Sequence, residues 1–205
     1  MIISHSKRFC YWKIARTGSN TAELCIRMSG ALDLSQDIVT SCHFFPASHN
    51  VCSEWGEHLE HRRPDEAIAI GMLTQEQYDA YDHYTIIRNP IDRWVSAYTY
   101  HCREHVRERI DPIEFFKNFK IKQVMIRQLD YLSLGNVRTF PFSNYEQSIK
   151  KIVALIGGVV PIDVPRIRHM TRGMHARSAN LTLSGNNTLK DDLLNWYGDD
   201  LLLDY

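Results

Sequence analysis

Two stretches decide how this 205-residue chain folds: Lys13-Ile14-Ala15-Arg16-Thr17-Gly18-Ser19-Asn20-Thr21 and Ile87-Arg88-Asn89-Pro90-Ile91-Asp92-Arg93-Trp94-Val95-Ser96-Ala97-Tyr98. Phe9 to Ala15 is rich in aromatic and apolar residues and short enough for a buried strand. A helix is expected to begin at Ser19 or Asn20. Asn20 with Glu23 reads as a capping box, Leu24, Met28 and Leu32 recur at helical spacing, and Gly30 is a stop signal. In the second stretch Tyr84 to Ile87 reads as a buried strand, Asn89 as a cap and Pro90 as the first helical residue. Ile91, Val95, Tyr98, Cys102 and Val106 then form an apolar stripe. Each stretch is thus a strand turning into a helix beside a basic residue and hydroxyl groups, where backbone N–H groups can hold an anion.

Further start signals follow: Asp111-Pro112 with Glu114, Ser143 with Glu146, and Thr188 with Asp191. Val137 to Phe142 is a candidate strand, and Ile149, Ile152, Val153 and Ile156 mark a helix face ending at Gly157-Gly158. Strands and helices therefore alternate. The expected architecture is α/β: residues 1–205 as a single domain, with a central parallel sheet flanked by helices and a ligand site at the carboxyl ends of the strands. Ser35 to Gln77 is irregular and reads as a substrate-side region.

Composition sets the bounds. Apolar residues make up 44% and charged residues 23%, which is ordinary for a globular domain. Lys plus Arg equals Asp plus Glu at 24 each, so no whole-molecule field favours nucleic acid or a membrane surface, and neither is expected as a partner. Locally the charge is uneven: Pro161 to Asn180 carries four arginines and one aspartate, and Thr188 to Tyr205 five aspartates and one lysine. Five cysteines without scaffold density, no apolar leader and no run of about 20 apolar residues point to a soluble, cytoplasmic protein with reduced thiols.

The first turn supplies hydroxyls from Thr17, Ser19 and Thr21, a close backbone approach at Gly18 and the cationic fork of Arg16. A nucleoside-triphosphate P-loop is excluded, because no lysine follows the glycine at that motif's spacing. A capped turn without a ligand remains open for this segment alone. In the second turn Arg88 ends the strand, and Ser96 lies eight residues on, so both can reach one group near the helix start. Arg93 is expected on the surface, paired with Asp92 or Glu104. The pair of turns suits a doubly anionic, nucleotide-like ligand.

The residues resemble the sulfotransferases that use 3′-phosphoadenosine 5′-phosphosulfate (PAPS). Thr17, Gly18 and Ser19 match their 5′-phosphosulfate loop, with Arg16 at the position of the family's lysine. Arg88, Pro90, Arg93, Ser96 and Tyr98 match their 3′-phosphate motif, Arg-x-Pro-x-x-Arg-x-x-Ser-x-Tyr. Arg127-Gln128-Leu129-Asp130-Tyr131-Leu132 and Phe142-Ser143-Asn144-Tyr145 are weaker echoes of the Golgi-type branch. The resemblance implies a P-loop-like sulfotransferase fold and sulfuryl transfer from PAPS to a hydroxyl or amine of a glycan or small molecule, with no metal required.

By the same resemblance the nucleotide-binding set is Arg16, Thr17, Gly18, Ser19, Asn20, Thr21, Arg88, Ser96 and Arg172. The catalytic pair is Arg16, stabilising charge on the bridging oxygen, and His43, taking the acceptor proton, with His49, Glu54 and His58 in reserve. Two alternatives stand beside this reading. One is a catalytically silent PAP- or PAPS-binding relative; the other is a zinc-stabilised interaction domain built from Cys42, His49, Cys52, His58 and His61. His101 and His105 share a helix face and read as solvated. The sequence is silent on the acceptor and on oligomeric state.

Overall fold

The computed structural model describes residues 1–40, 59–104, 110–119, 126–165, 185 and 187–203. Five strands form one sheet: β1 (Ile2–Ser4), β2 (Phe9–Trp12), β3 (Ile38–Val39), β4 (Asp82–Ile87) and β5 (Val137–Pro141), in the spatial order β3-β1-β2-β4-β5. β2, β4 and β5 run parallel, with Trp12 opposite Thr85 and Ile87 opposite Pro141. The expected parallel sheet is this three-stranded centre. β1 and β3 extend it antiparallel, so the whole sheet is mixed. A tight turn through Arg8, at φ +57°, joins β1 to β2, and so short a link permits only an antiparallel pair.

The helices are α1 (Ser19–Met28), α2 (Pro64–Ala69), α3 (Gln75–Ala80), α4 (Pro90–Glu104), α5 (Pro112–Phe119), α6 (Tyr145–Leu155) and α7 (Asn187–Trp196). Short 3-10 helices occupy Leu59–His61, Gln128–Tyr131, Phe142–Asn144 and Gly198–Leu202. Successive strand residues alternate between two cores, as a pleated sheet requires. Phe9, Tyr11, Tyr84, Ile86 and Phe140 pack with α1 and α6 on one face. Cys10, Trp12 and Ile87 pack with Leu59, Ala67, Leu73, Tyr78 and Tyr131 on the other. A third cluster joins α4, α5 and α7 through Trp94, Tyr98, Phe115, Leu189, Leu193 and Tyr197.

Several local signals act as their chemistry dictates. Asn89 Oδ1 accepts from the N–H groups of Ile91 (3.0 Å) and Asp92 (3.3 Å), with Pro90 at the first helical position. Asp111 Oδ1 does the same for Ile113 and Glu114 at the start of α5.

Others are overruled by tertiary contacts. The N-cap of α1 is Gly18, without a side-chain cap, so the Asn20–Glu23 box does not form. Glu23 instead pairs with Lys13 and, at 2.9 Å, with Arg27. A buried ammonium claims the carboxylate more strongly than a backbone N–H would. The buried face of α1 is Ala22, Cys25 and Ile26, while Met28 is 72% exposed. The Ser143–Glu146 box is likewise absent: Phe142–Asn144 is a 3-10 turn, α6 begins after Asn144, and Glu146 pairs with Lys150 at 2.9 Å. Thr188 lies inside α7 rather than ahead of it. Ser35 to Gln77 contributes β3, the 3-10 turn Leu59–His61, α2 and the start of α3 among its described residues.

Candidate functional site

Parallel strands that lie side by side deliver their outgoing turns side by side, about 5 Å apart. β2 leads through residues 13–18 into α1, β4 through Arg88 and Asn89 into α4, and β5 through Phe142–Asn144 into α6. Three turns therefore converge at the carboxyl ends of the central strands, where open α/β sheets place their ligands.

Two cross-connections join the first two turns. The Arg16 guanidinium donates from Nε and Nη2 to Ser96 Oγ at 3.3 and 3.2 Å, with its plane over the Tyr100 ring at 4.5 Å. Arg88 Nη1 donates back to the Arg16 carbonyl at 3.2 Å. The Arg88 guanidinium sits 4.5 Å over the Phe142 ring, which brings in the third turn. Residues 72 and 80 positions apart in sequence thus form one cationic unit.

The first turn is tightly specified. Arg16 lies at φ +66° and Gly18 at φ +77°. The left-handed region costs a non-glycine residue about 1–2 kcal/mol, and Arg16 is held there by Ser96, Tyr100 and Arg88. Thr17 is buried and donates its hydroxyl to the Ile14 carbonyl at 2.9 Å, so its side chain closes the turn. The Gly18 carbonyl accepts from the N–H of Thr21 at 3.0 Å and from the Tyr145 hydroxyl. A Cβ on Gly18 would lie 2.5 Å from the Tyr145 ring, which glycine alone avoids. Burial pushes the Tyr145 phenol up and keeps it a donor. Ser19 and Thr21 are buried in the first turn of α1, and beside them Asn20 Oδ1 is buried without a hydrogen-bond partner among the described residues.

The second turn is braced from beneath. Gln128 grips the Arg88 backbone at both ends, its Oε1 accepting from the N–H and its Nε2 donating to the carbonyl, each at 2.8 Å. Burial pushes the Arg88 guanidinium pKa down, and its Nε is buried without a hydrogen-bond partner among the described residues. A cation desolvated in this way gains from a nearby anion.

Arg93 departs from expectation. It is 1% exposed, donates to the Ile126 carbonyl and lies 5.4 Å over the Tyr197 ring. The surface pairing with Asp92 or Glu104 is therefore replaced by a buried structural role, because Arg93 faces the seam between α4 and the C-terminal helices. Tyr98 is also core: it stacks on Trp94 at 5.7 Å and donates to the Ile110 carbonyl at 3.1 Å.

The chain has a sulfotransferase-like fold. It is similar to the crystal structure of a sulfotransferase from Alicyclobacillus acidocaldarius, at a TM-score of 0.50 and 15% identity, over 97% of this chain and 96% of that one. No family model and no curated protein matches the chain.

Of the residues singled out from sequence, the fold brings Arg16, Thr17, Gly18, Ser19, Asn20, Thr21, Arg88 and Ser96 into this one region. His43, Arg172, His49, Glu54 and His58 lie outside the described residues, as do Cys42, Cys52 and His105. His61 donates from Nδ1 to the Lys13 carbonyl at 2.7 Å. Among the described residues no cluster of three or more His, Cys, Asp or Glu side chains is placed to hold a metal, and no helix is long and apolar enough to cross a membrane. Sequence reasoning did not foresee Tyr100 against the Arg16 guanidinium, Tyr145 on the Gly18 carbonyl, or Asp200, whose carboxylate accepts from the N–H groups of Gln128 and Leu129. Tyr100 was within reach, one helical turn beyond Ser96; the other two act across more than 70 residues.

Proposed function

We propose that this protein is a sulfotransferase that moves a sulfuryl group from PAPS to a hydroxyl or amine of a carbohydrate or small-molecule acceptor. One observation carries the reading: Arg16 and Arg88, from two separate motifs, interlock at adjacent strand ends. The donor supplies the activated S–O bond that breaks. Arg88 and Ser96 are suited to its 3′-phosphate, and Arg16 with Gly18, Ser19, Asn20 and Thr21 to its 5′-phosphosulfate. The desolvated Arg88 guanidinium, whose buried Nε has no partner among the described residues, fits such an anion.

As the acceptor oxygen or nitrogen bonds to sulfur, the sulfur–bridging oxygen bond breaks and its electron pair leaves with 3′-phosphoadenosine 5′-phosphate (PAP). Arg16 offsets the charge that builds there, and positioning with electrostatic stabilisation supplies most of the rate. The acceptor proton passes to a base, for which His43 is the proposed residue.

The decisive experiment has two stages. PAP raises the melting temperature of the protein, as a ligand of the native state must, and labelled sulfate then passes from PAPS to a member of an acceptor library. Absence of a PAP shift sinks the reading. A PAP shift without transfer selects the silent nucleotide-binding relative, which the engagement of Arg16 with Ser96 and Tyr100 favours as the second reading.

A further inference from the structure

The C-terminal 3-10 helix Gly198–Leu202 carries a buried carboxylate, Asp200, far in sequence from either anion-binding turn. Its Oδ2 accepts from the N–H of Gln128 at 2.8 Å and its Oδ1 from the N–H of Leu129 at 2.9 Å. These are the first two residues of the 3-10 helix Gln128–Tyr131, so one carboxylate caps that helix from outside. Arg93 donates to the Ile126 carbonyl, and its guanidinium lies over the ring of Tyr197, one residue before Gly198–Leu202, where its charge also reaches Asp200. The segment from Ile126 to Leu129 is therefore held by a cation at its carbonyl and an anion at its N–H groups. From this segment Gln128 clasps both backbone groups of Arg88.

We infer that Asp200 and Gln128 are positioning residues for the 3′-phosphate subsite: the C-terminal helix sets the place of Arg88 through Gln128. This rests on the nucleotide reading above. The geometry has a directional logic. A side chain can be aimed only as accurately as its own backbone is held, and Arg88 ends a strand whose pairing stops at Ile87. Gln128 continues that pairing by one residue, with an amide in place of a neighbouring strand. Asp200 in turn fixes where the amide starts. Gln128 clasps the Arg88 backbone, and Arg88 passes a single guanidinium N–H on to the Arg16 carbonyl, so the effect falls mainly on ligands that carry a 3′-phosphate.

The test compares PAP with adenosine 5′-phosphate, which lacks that group, by titration calorimetry on the full chain. Two variants are used, Asp200→Asn and Gln128→Met, both close to isosteric and each checked by circular dichroism. In both, PAP affinity falls about tenfold or more, while affinity for adenosine 5′-phosphate stays within about twofold. A merely structural loss lowers both affinities together, and that outcome overturns the inference. So does a PAP preference that survives in either folded variant. A wild-type protein with no preference for PAP overturns the nucleotide reading itself, a result separable from failure of the brace alone.

Discussion

Arg16 and Ser96 are hydrogen-bonded across 80 residues, with the guanidinium of one motif resting on the hydroxyl of the other. The Arg88 guanidinium returns the contact to the Arg16 carbonyl. Neither motif is complete alone, since each holds the other's cation in place. The adjacency of β2 and β4 makes this possible.

Ser96→Ala removes one hydroxyl from this junction and lowers PAP affinity about tenfold, the worth of one charge-assisted hydrogen bond. Arg88→Ala removes the cation and lowers it about a hundredfold or more. Both are read as a diminished PAP-induced shift in melting temperature. Wild-type responses from both variants would show that the site has been placed wrongly.

Gly18→Ala meets two obstacles, a φ of +77° and the Tyr145 ring where its Cβ would stand. The expected loss is about 2 kcal/mol or more in urea unfolding. Because the clash is with one ring, Gly18→Ala combined with Tyr145→Leu loses less than the sum of the single changes. Strict additivity would exclude the contact as the cause.

Lys13 is fully buried between Glu23 and Glu60, the latter at 2.6 Å. Lys13→Met strands two carboxylates without that counter-charge and destabilises by about 3–5 kcal/mol. Adding Glu60→Gln recovers part of the loss. A single variant as stable as wild type would mean that the cluster is not desolvated.

Burial lowers the His61 pKa from its ordinary 6.5 to about 4, and the Nδ1 donation to Lys13 persists in the neutral ring. The unfolded chain therefore binds this proton more readily than the folded one. Stability from His61 is complete above about pH 6.5 and declines as pH falls toward 4, below which it is flat. The ring is a quarter exposed, which discounts the loss to about 1–2 kcal/mol. Denaturant midpoints between pH 7 and pH 4 measure it, and His61→Asn flattens the slope; an unchanged slope would assign the pH dependence to other groups.

The legible parts of this protein were those governed by neighbours within a turn. The Asn89-Pro90 cap, the Asp111 cap, the glycine at the head of α1 and the alternation of strands and helices follow from local backbone preferences. Adjacent α/β turns then had to lie at one sheet edge, which brought Arg16 and Arg88 together. Side-chain partnership was not legible. Glu23 had a local role open to it and took a buried lysine instead, and Arg93 read as a surface cation and became core. The antiparallel strands β1 and β3 were also unforeseen, because Ile2–Ser4 and Ile38–Val39 are too short to show a period. Sequence spacing determined where the two strand-to-helix turns stand and which residues they carry. Only the tertiary structure decided what each charge faces, because a charge taken out of water gains most from whichever distant partner the sheet order brings within reach.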